Sequence, residues 1–186
     1  MQANGGLITA PDLADYKAKL RSPIATDYRG YRVVTMPPAS SGGVALLEML
    51  NMLESFDLKE MGHNSASTMH IMSEVMKLAY ADRRKSMGDP DFVENPVQRL
   101  ISKAYASDRT SGLSRKRSSP PEAIAPFDSM AKESEDTTHY SIADKDGNIV
   151  SNTYTLGSSF GSGVVVEGTG VLLDNQIRNF SLRVDV

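Results

Sequence analysis

Apolar residues recur at intervals of three and four through the first part of the chain, which is the spacing of amphipathic helices. One set follows a tight turn at residues 40–43 and comprises Val44, Leu47, Leu50 and Leu53. A second set predicts a helix that starts near Ser65, and its members are Met69, Met72, Val75, Met76, Ala79 and Tyr80. We expect this methionine-rich face to pack in the core, because flexible thioethers fill irregular gaps well. Glu74 and Lys77 fall outside that face.

Shorter elements are predicted on both sides of these two helices. Thr9 is a suitable N-cap for a helix that runs on to Leu20, and a further helix is predicted over residues 95–106. The β-branched residues of segment 32–36 predict a strand, which the prolines at 37 and 38 would end.

The character of the chain changes in its last third. Residues 107–136 are rich in Ser, Arg, Lys, Pro and Glu, and they predict an exposed, mobile linker. Alternation over 138–143, a turn at 146–148 and a second strand over 149–155 then predict a β-hairpin. Glycine-rich segments frame two more apolar stretches, 164–166 and 171–173. Helices before the linker and a hairpin-built sheet after it indicate the α+β class.

The composition of the chain limits the possible functions more than it limits the possible folds. The chain has 186 residues, and 40% of them are hydrophobic, which suffices for one domain with a core. A net charge of −3 gives no electrostatic case for nucleic acid as a partner. No apolar run approaches the roughly 20 residues of a membrane span. Both ends look abrupt, so we expect a segment of a longer chain.

Metal and thiol chemistry are disfavoured by the residue types present. The absence of cysteine excludes disulfides, zinc–thiolate sites and a cysteine nucleophile. His63, His70 and His139 stand alone, without the spacing that zinc sites use, so surface or packing roles are predicted for them. We therefore expect neither a metal ion nor another cofactor.

One candidate for catalysis is the threonine at the junction of the linker and the first strand of the hairpin. A threonine is a weak nucleophile unless a base lies beside it. Cleavage between Asp136 and Thr137 would give Thr137 its own α-amino group, whose pKa of about 8 suits a local base. Threonine is also common at strand starts, so on residue type alone a structural role is the simpler interpretation.

Short motifs along nearly the whole chain favour a catalytic role for Thr137 over a structural one. Before the junction they are GGLIT (5–9), DYRGY (27–31), MPP (36–38), SSGG (40–43), AYADR (79–83) and GDPD (88–91). After it they are TTHYS (137–141), DKDGN (144–148), TYT (153–155), FG (160–161) and GVLLDNQ (170–176). In this order they resemble the γ-glutamyltranspeptidase (glutathione hydrolase) family of N-terminal nucleophile hydrolases.

The resemblance implies an αββα sandwich and a precursor that cuts itself between Asp136 and Thr137. Residues 1–136 would then be the C-terminal part of the large subunit, and residues 137–186 the N-terminal part of the small, catalytic subunit. Thr137 would attack the γ-glutamyl carbonyl of glutathione or another γ-glutamyl compound. Water, an acceptor amino acid or a dipeptide would release the γ-glutamyl group. Members of the family are usually periplasmic or secreted.

Individual site residues follow from the same resemblance. Thr155 matches a threonine that hydrogen-bonds the nucleophile, and Gln176 matches a residue that contacts the α-amino end of the glutamyl group. Gly157 departs from the family pattern, since many members have Asn there, and Asn179 stands where many have an aspartate. These two departures keep open an acylase of the cephalosporin-acylase type.

The resemblance also implies that parts of the site lie outside this chain. The arginine that clamps the substrate carboxylate is expected before residue 1, and the oxyanion-hole glycines, a serine pair and a lid are expected after Val186. Because oxyanion-hole donors are worth roughly 10²–10³ in rate, we expect the chain alone to be weak or inactive. A fragment that keeps the fold without activity is the remaining alternative.

Overall fold

The structure, a computed structural model, describes residues 5–120 and 137–176. Its helices are α1 (Ala10–Asp15), α2 (Gly42–Leu53), α3 (Leu58–Met61), α4 (Ala66–Ser86), α5 (Val97–Leu100) and α6 (Lys103–Thr110). Its strands are β1 (Ile24–Tyr28), β2 (Tyr31–Thr35), β3 (Thr138–Ala143), β4 (Ile149–Tyr154), β5 (Val165–Val166) and β6 (Val171–Leu172). The strands pair antiparallel as β1–β2, β3–β4 and β5–β6. Within the described ranges no helix is long and apolar enough to cross a membrane.

The core of residues 5–120 lies where α2 packs on α4 and α6. One cluster joins Met52 and Phe56 to side chains of α4 and α6; these are Ile71, Val75, Leu78, Ala79 and Ala106. A second joins the start of α2 to α5; it comprises Val44, Leu47, Leu100 and Ile101. The two helices predicted from periodicity therefore exist as α2 and α4, and Ser65 caps α4 as expected by accepting a hydrogen bond from the backbone N–H of Thr68 at 3.2 Å.

The predicted core face of α4 is confirmed for Val75 and Ala79 but wrong for its methionines. Met69, Met72 and Met76 are 51%, 40% and 46% exposed, whereas Ile71, which was not part of that face, is fully buried. Apolar residues lie on more than one side of this helix, and packing against α2 and α6 selects the side that carries the branched residues. These fill a close-packed interior with less loss of side-chain entropy than methionine.

Glu74 is also buried, contrary to expectation, and it holds the chain that follows α6. Its carboxylate accepts hydrogen bonds from Lys77 Nζ at 2.6 Å, from Ser118 Oγ at 3.0 Å and from the backbone N–H of Ser119 at 2.9 Å. Burial opposes ionisation, but the hydrogen bonds from Lys77, Ser119 and Ser118 outweigh it and lower the pKa of Glu74 to about 2.

The boundary of the predicted linker is therefore wrong at its first end. Residues 107–110 belong to α6, and Ser118 and Ser119 are anchored on α4. Residues 121–136 lie outside the described part of the chain.

Other boundaries differ from prediction for local reasons. α1 ends at Asp15, well before Leu20, although Thr9 and Asp12 form the expected capping box. The helix predicted over 95–106 is two helices, because the hydroxyl of Ser102 caps a new one by accepting from the N–H of Tyr105 at 3.2 Å. β1 and α3 were not predicted. β1 docks its hairpin on α2 through Thr26, whose hydroxyl donates to Asn51 Oδ1 at 2.9 Å.

A group of buried polar side chains ties α2, α4 and α6 together. Glu48 is 1% exposed and lies beside Asp82, which accepts hydrogen bonds from Arg109 Nε at 2.9 Å and Arg109 Nη2 at 3.2 Å. Burial raises the pKa of Glu48 far above its usual range, and the hydrogen bond and negative charge of Asp82 raise it further, although Arg109 partly offsets them. Glu48 is therefore a neutral acid near pH 7.

This assignment predicts the pH dependence of stability. Because the folded-state pKa of Glu48 is raised, its contribution is fully present below the unfolded-state pKa of about 4.3 and is lost as the pH rises toward the folded-state value. Replacing Glu48 by Gln should keep a neutral donor to Asp82 and remove this loss. We expect Glu48→Gln to be more stable than the wild type at pH 7, on the order of 1 kcal/mol per pH unit above 4.3.

Thermal unfolding between pH 5 and pH 9 measures this difference. Glu60→Gln, a change at an exposed glutamate of α3, serves as the matched control. Parallel pH profiles for Glu48→Gln and the wild type would show that Glu48 is ionised in the folded protein.

Candidate functional site

The β3–β4 hairpin begins one residue after Thr137 and ends one residue before Thr155. The strands pair in a register that matches Thr138 with Tyr154 and His139 with Thr153. Extended by one residue, this register sets Thr137 opposite Thr155. Side chains of directly opposed residues project from the same face of an antiparallel pair, so both hydroxyls belong to one face.

That face is polar and carries a hydrogen-bonded histidine. The ring of His139 contacts Thr153 Oγ1 through Nδ1 at 2.6 Å and Ser151 Oγ through Nε2 at 3.0 Å. The opposite face is mainly apolar, although Thr138 and Asn152 also lie on it, and the rings of Tyr140 and Tyr154 meet there edge to face at 6.3 Å. His139 is exposed, which confirms the surface role predicted for it.

The chain turns immediately after Thr155, and a backbone group of the turn is hydrogen-bonded to the Thr155 side chain. Thr155 Oγ1 accepts a hydrogen bond from the backbone N–H of Gly157 at 3.0 Å. Gln176 Nε2 donates to the carbonyl oxygen of Thr155 at 2.9 Å, while the N–H of Gln176 donates to Asp174 Oδ1 at 2.9 Å. Three residues singled out in the sequence, Thr155, Gly157 and Gln176, are thus brought together.

Gly157 has a structural reason for lacking a side chain. Its φ of 95° lies in the left-handed region, which L-residues with a Cβ adopt at a cost. A Cβ built on it would also overlap the side-chain oxygen of Asn175. That oxygen accepts from the N–H of Ser158 at 3.0 Å, and Asn175 Nδ2 donates to Ser158 Oγ at 3.0 Å.

Asn175 is the site residue that the sequence reading missed. The sequence feature that could have indicated it is its position beside Gln176, in a segment that returns to the turn.

The other two predicted residues, Asp136 and Asn179, lie outside the described residues. Residues 5–120 and 137–176 contain no group of three or more His, Asp or Glu side chains that could hold a metal ion.

The sequence resembles one enzyme family over nearly its whole length. The family model for gamma-glutamyltranspeptidase matches residues 1–185. The glutathione hydrolase proenzyme of Escherichia coli (strain K12) is 51% identical over 183 residues, which cover 98% of this chain and 32% of that protein. The chain therefore spans about a third of the length of the curated relatives that it matches.

Two solved structures share the fold. The gamma-glutamyltranspeptidase of Helicobacter pylori aligns with a TM-score of 0.65 and 42% identity, over 73% of this chain and 39% of that one. The cephalosporin acylase of Bacillus halodurans aligns with a TM-score of 0.77 and 34% identity, over 99% of this chain and 32% of that one. The predicted fold class, α+β as part of an αββα N-terminal nucleophile hydrolase sandwich, is confirmed.

The geometry at Gly157 predicts an unequal cost for two glycine substitutions. Gly147 has a similar φ of 84° but open space where a Cβ would project. Gly147→Ala should therefore lose only the left-handed backbone preference, about 1 kcal/mol. Gly157→Ala should lose at least about 1 kcal/mol more, because the new methyl group displaces the Asn175 side chain from Ser158.

Calorimetric unfolding of both variants beside the wild type measures the two losses. Equal losses would mean that the Asn175 side chain moves aside without cost.

Proposed function

The chain belongs to the gamma-glutamyltranspeptidase family, and from that membership we propose that it is part of a self-cleaving precursor with γ-glutamyltransferase and glutathione hydrolase activity. Residues 1–136 would form the C-terminal part of its large subunit and residues 137–186 the N-terminal part of its small subunit. One observation carries the proposal. The β3–β4 register ends at the pair Thr138–Tyr154, and its extension by one residue would set Thr155, which is bonded to Gly157 and Gln176, opposite Thr137.

The proposed first step is cleavage of the peptide bond between Asp136 and Thr137: the Thr137 hydroxyl attacks the Asp136 carbonyl carbon and displaces the Thr137 nitrogen to form an ester, which water then hydrolyses. It gives Thr137 an α-amino group, whose pKa of about 8 allows a useful fraction to be unprotonated near neutral pH. The Thr137 hydroxyl then attacks the γ-glutamyl carbonyl carbon, and the amine accepts the hydroxyl proton. The leaving amine takes up a proton as the old amide bond breaks, which leaves a γ-glutamyl ester on Thr137.

The second half of the cycle resolves that ester. Water attacks the ester carbonyl and gives free glutamate, or the amine of an acceptor amino acid or dipeptide attacks and gives a new γ-glutamyl amide. In both cases the proton returns to the Thr137 hydroxyl. Glutathione and other γ-glutamyl compounds are the proposed donors, and the large and small subunits of one precursor are the proposed protein partners.

Thr155 and Gln176 have complementary roles in this proposal. Thr155 would orient the nucleophile by hydrogen bonding. The amide nitrogen of Gln176 donates to the carbonyl of Thr155, so the side-chain oxygen of Gln176 is the atom suited to accept from the substrate ammonium. A cation stripped of water needs such acceptors.

Two other functions remain as candidates. The likeness to the Bacillus halodurans cephalosporin acylase favours a related acylase, which would share the nucleophile and the fold. An inactive fragment is the other, because the carboxylate-clamp arginine, the oxyanion hole and the lid are all expected outside this segment. A periplasmic or secreted location is proposed on the family resemblance, and fractionation of cells tests it.

The proposal predicts the products of self-cleavage. Purified full-length precursor should separate into two chains, with the smaller beginning Thr137-Thr138-His139. Thr137→Ala should remain one chain, because it lacks the attacking hydroxyl. N-terminal sequencing and gel electrophoresis measure both outcomes. A different first residue, or cleavage of Thr137→Ala, would refute the assignment of Thr137.

Substrate recognition gives a second test. Asn179 offers only a neutral oxygen where many family members offer a carboxylate, and Gly157 offers no side chain. We expect the ratio of kcat/KM for γ-glutamyl- over glutaryl-p-nitroanilide to rise about five- to tenfold in Asn179→Asp, since a charge-assisted hydrogen bond exceeds a neutral one by about 1 kcal/mol. An unchanged ratio would show that residue 179 does not contact the substrate amino group, and a wild type that prefers the glutaryl substrate would favour the acylase.

A further inference from the structure

Asn175 is hydrogen-bonded to the turn after β4 on both sides of Gly157. Its backbone N–H donates to the carbonyl oxygen of Leu156 at 2.9 Å. Its side-chain oxygen accepts from the N–H of Ser158 at 3.0 Å, and its side-chain nitrogen donates to Ser158 Oγ at 3.0 Å. Gly157 is buried beneath that carboxamide, with no room for a side chain. One residue therefore holds the turn through three hydrogen bonds.

The shape of this turn controls the hydroxyl of Thr155. A threonine hydroxyl has one donor site and two acceptor sites. The N–H of Gly157 occupies one acceptor site of Thr155 Oγ1 at 3.0 Å, which restricts the directions in which the hydroxyl can engage other groups. That N–H can point at Thr155 only while residues 156–158 keep their turn. Asn175 thus acts on Thr155 through the backbone of Gly157.

We propose that Asn175 is a positioning residue for the reaction at Thr137, an inference that rests on the proposed function. It holds the turn, and the turn directs the Gly157 N–H onto Thr155. Thr155 directly follows the last paired residue of β4, so the hairpin register extended by one residue sets it opposite Thr137. Loss of the carboxamide lets Thr155 rotate and leaves the nucleophile poorly oriented. A misplacement of about 1 Å far from the reacting atoms can cost about 10²-fold in rate.

The chain contains a matched asparagine that separates positioning from general stability. Asn95 braces another turn with the same kind of side-chain pair: its oxygen accepts from the N–H of Gly88 at 2.7 Å, and its nitrogen donates to the carbonyl oxygen of Gly88 at 3.0 Å. Asn95→Ala removes a comparable brace in the helical part of the chain. A residue with a merely structural role would affect stability alone, as Asn95 is expected to do.

The test uses full-length precursor carrying Asn175→Ala, Asn175→Asp or Asn95→Ala. Asn175→Ala should slow formation of the chain that begins at Thr137 and lower kcat for γ-glutamyl-p-nitroanilide about ten- to hundredfold. Its KM should change less than about threefold, since the lost interaction acts on the nucleophile rather than on substrate binding. Asn175→Asp keeps the acceptor for the Ser158 N–H and should recover part of kcat. Asn95→Ala should lower the Tm and leave kcat unchanged.

Hydrogen exchange at residues 156–158 provides a readout that does not depend on activity. These amides should exchange faster in Asn175→Ala than in the wild type. Unchanged exchange of these amides would show that the Asn175 side chain does not hold the turn. Faster exchange with unchanged kcat and unchanged cleavage would overturn the positioning role. The proposed function and the positioning role would both be overturned if the wild type neither cleaves before Thr137 nor releases p-nitroaniline. In that case hydrogen exchange would still decide whether Asn175 holds the turn.

Discussion

The polar backbone groups of residues 155–158 need hydrogen-bond partners where the chain leaves the β3–β4 ladder, and residues 175 and 176 supply them. The carbonyl of Thr155 is bonded to Gln176, and the carbonyl of Leu156 and the N–H of Ser158 are bonded to Asn175. Because half-buried backbone groups lose stability when unpaired, the returning segment has little freedom to shift. This constraint gathers Thr155, Gly157 and Gln176 at the end of the hairpin where Thr137 begins.

A second set of polar contacts organises the helical part. Glu74 and Asp82 lie on the buried side of α4, where an isolated charge would be costly. Glu74 is satisfied by Lys77 and by the chain at 118–119, and Asp82 is satisfied by Arg109 of α6. These contacts fix the rotation of α4, and they tie it to the segment that leads toward the Asp136–Thr137 junction.

The hairpin has an apolar face that its two strands cannot cover. Ile142, Val150 and Tyr154 are more than half exposed on the side opposite Thr137. A two-stranded hairpin is marginal in isolation and becomes stable when a further layer packs on it. The αββα sandwich of the family supplies such layers, and the chain spans about a third of the length of its curated relatives. A further layer packed on this apolar face is therefore expected to stabilise the hairpin.

The sequence alone predicted most of the helices and strands and pointed to the residues proposed for the chemistry. Periodicity predicted α2 and α4, the Ser65 cap predicted where α4 begins, and alternation predicted the β3–β4 hairpin, because each depends on interactions between near neighbours. Motif resemblance pointed to Thr137, Thr155 and Gln176. Contacts between residues far apart in the chain decided which side of α4 is buried and how the turn at Gly157 is held. Ile71 rather than Met72 faces the core, because α2 and α6 pack on that side of α4. Asn175 holds the turn at Gly157 because two segments 17 residues apart meet there, a contact that no local pattern encodes.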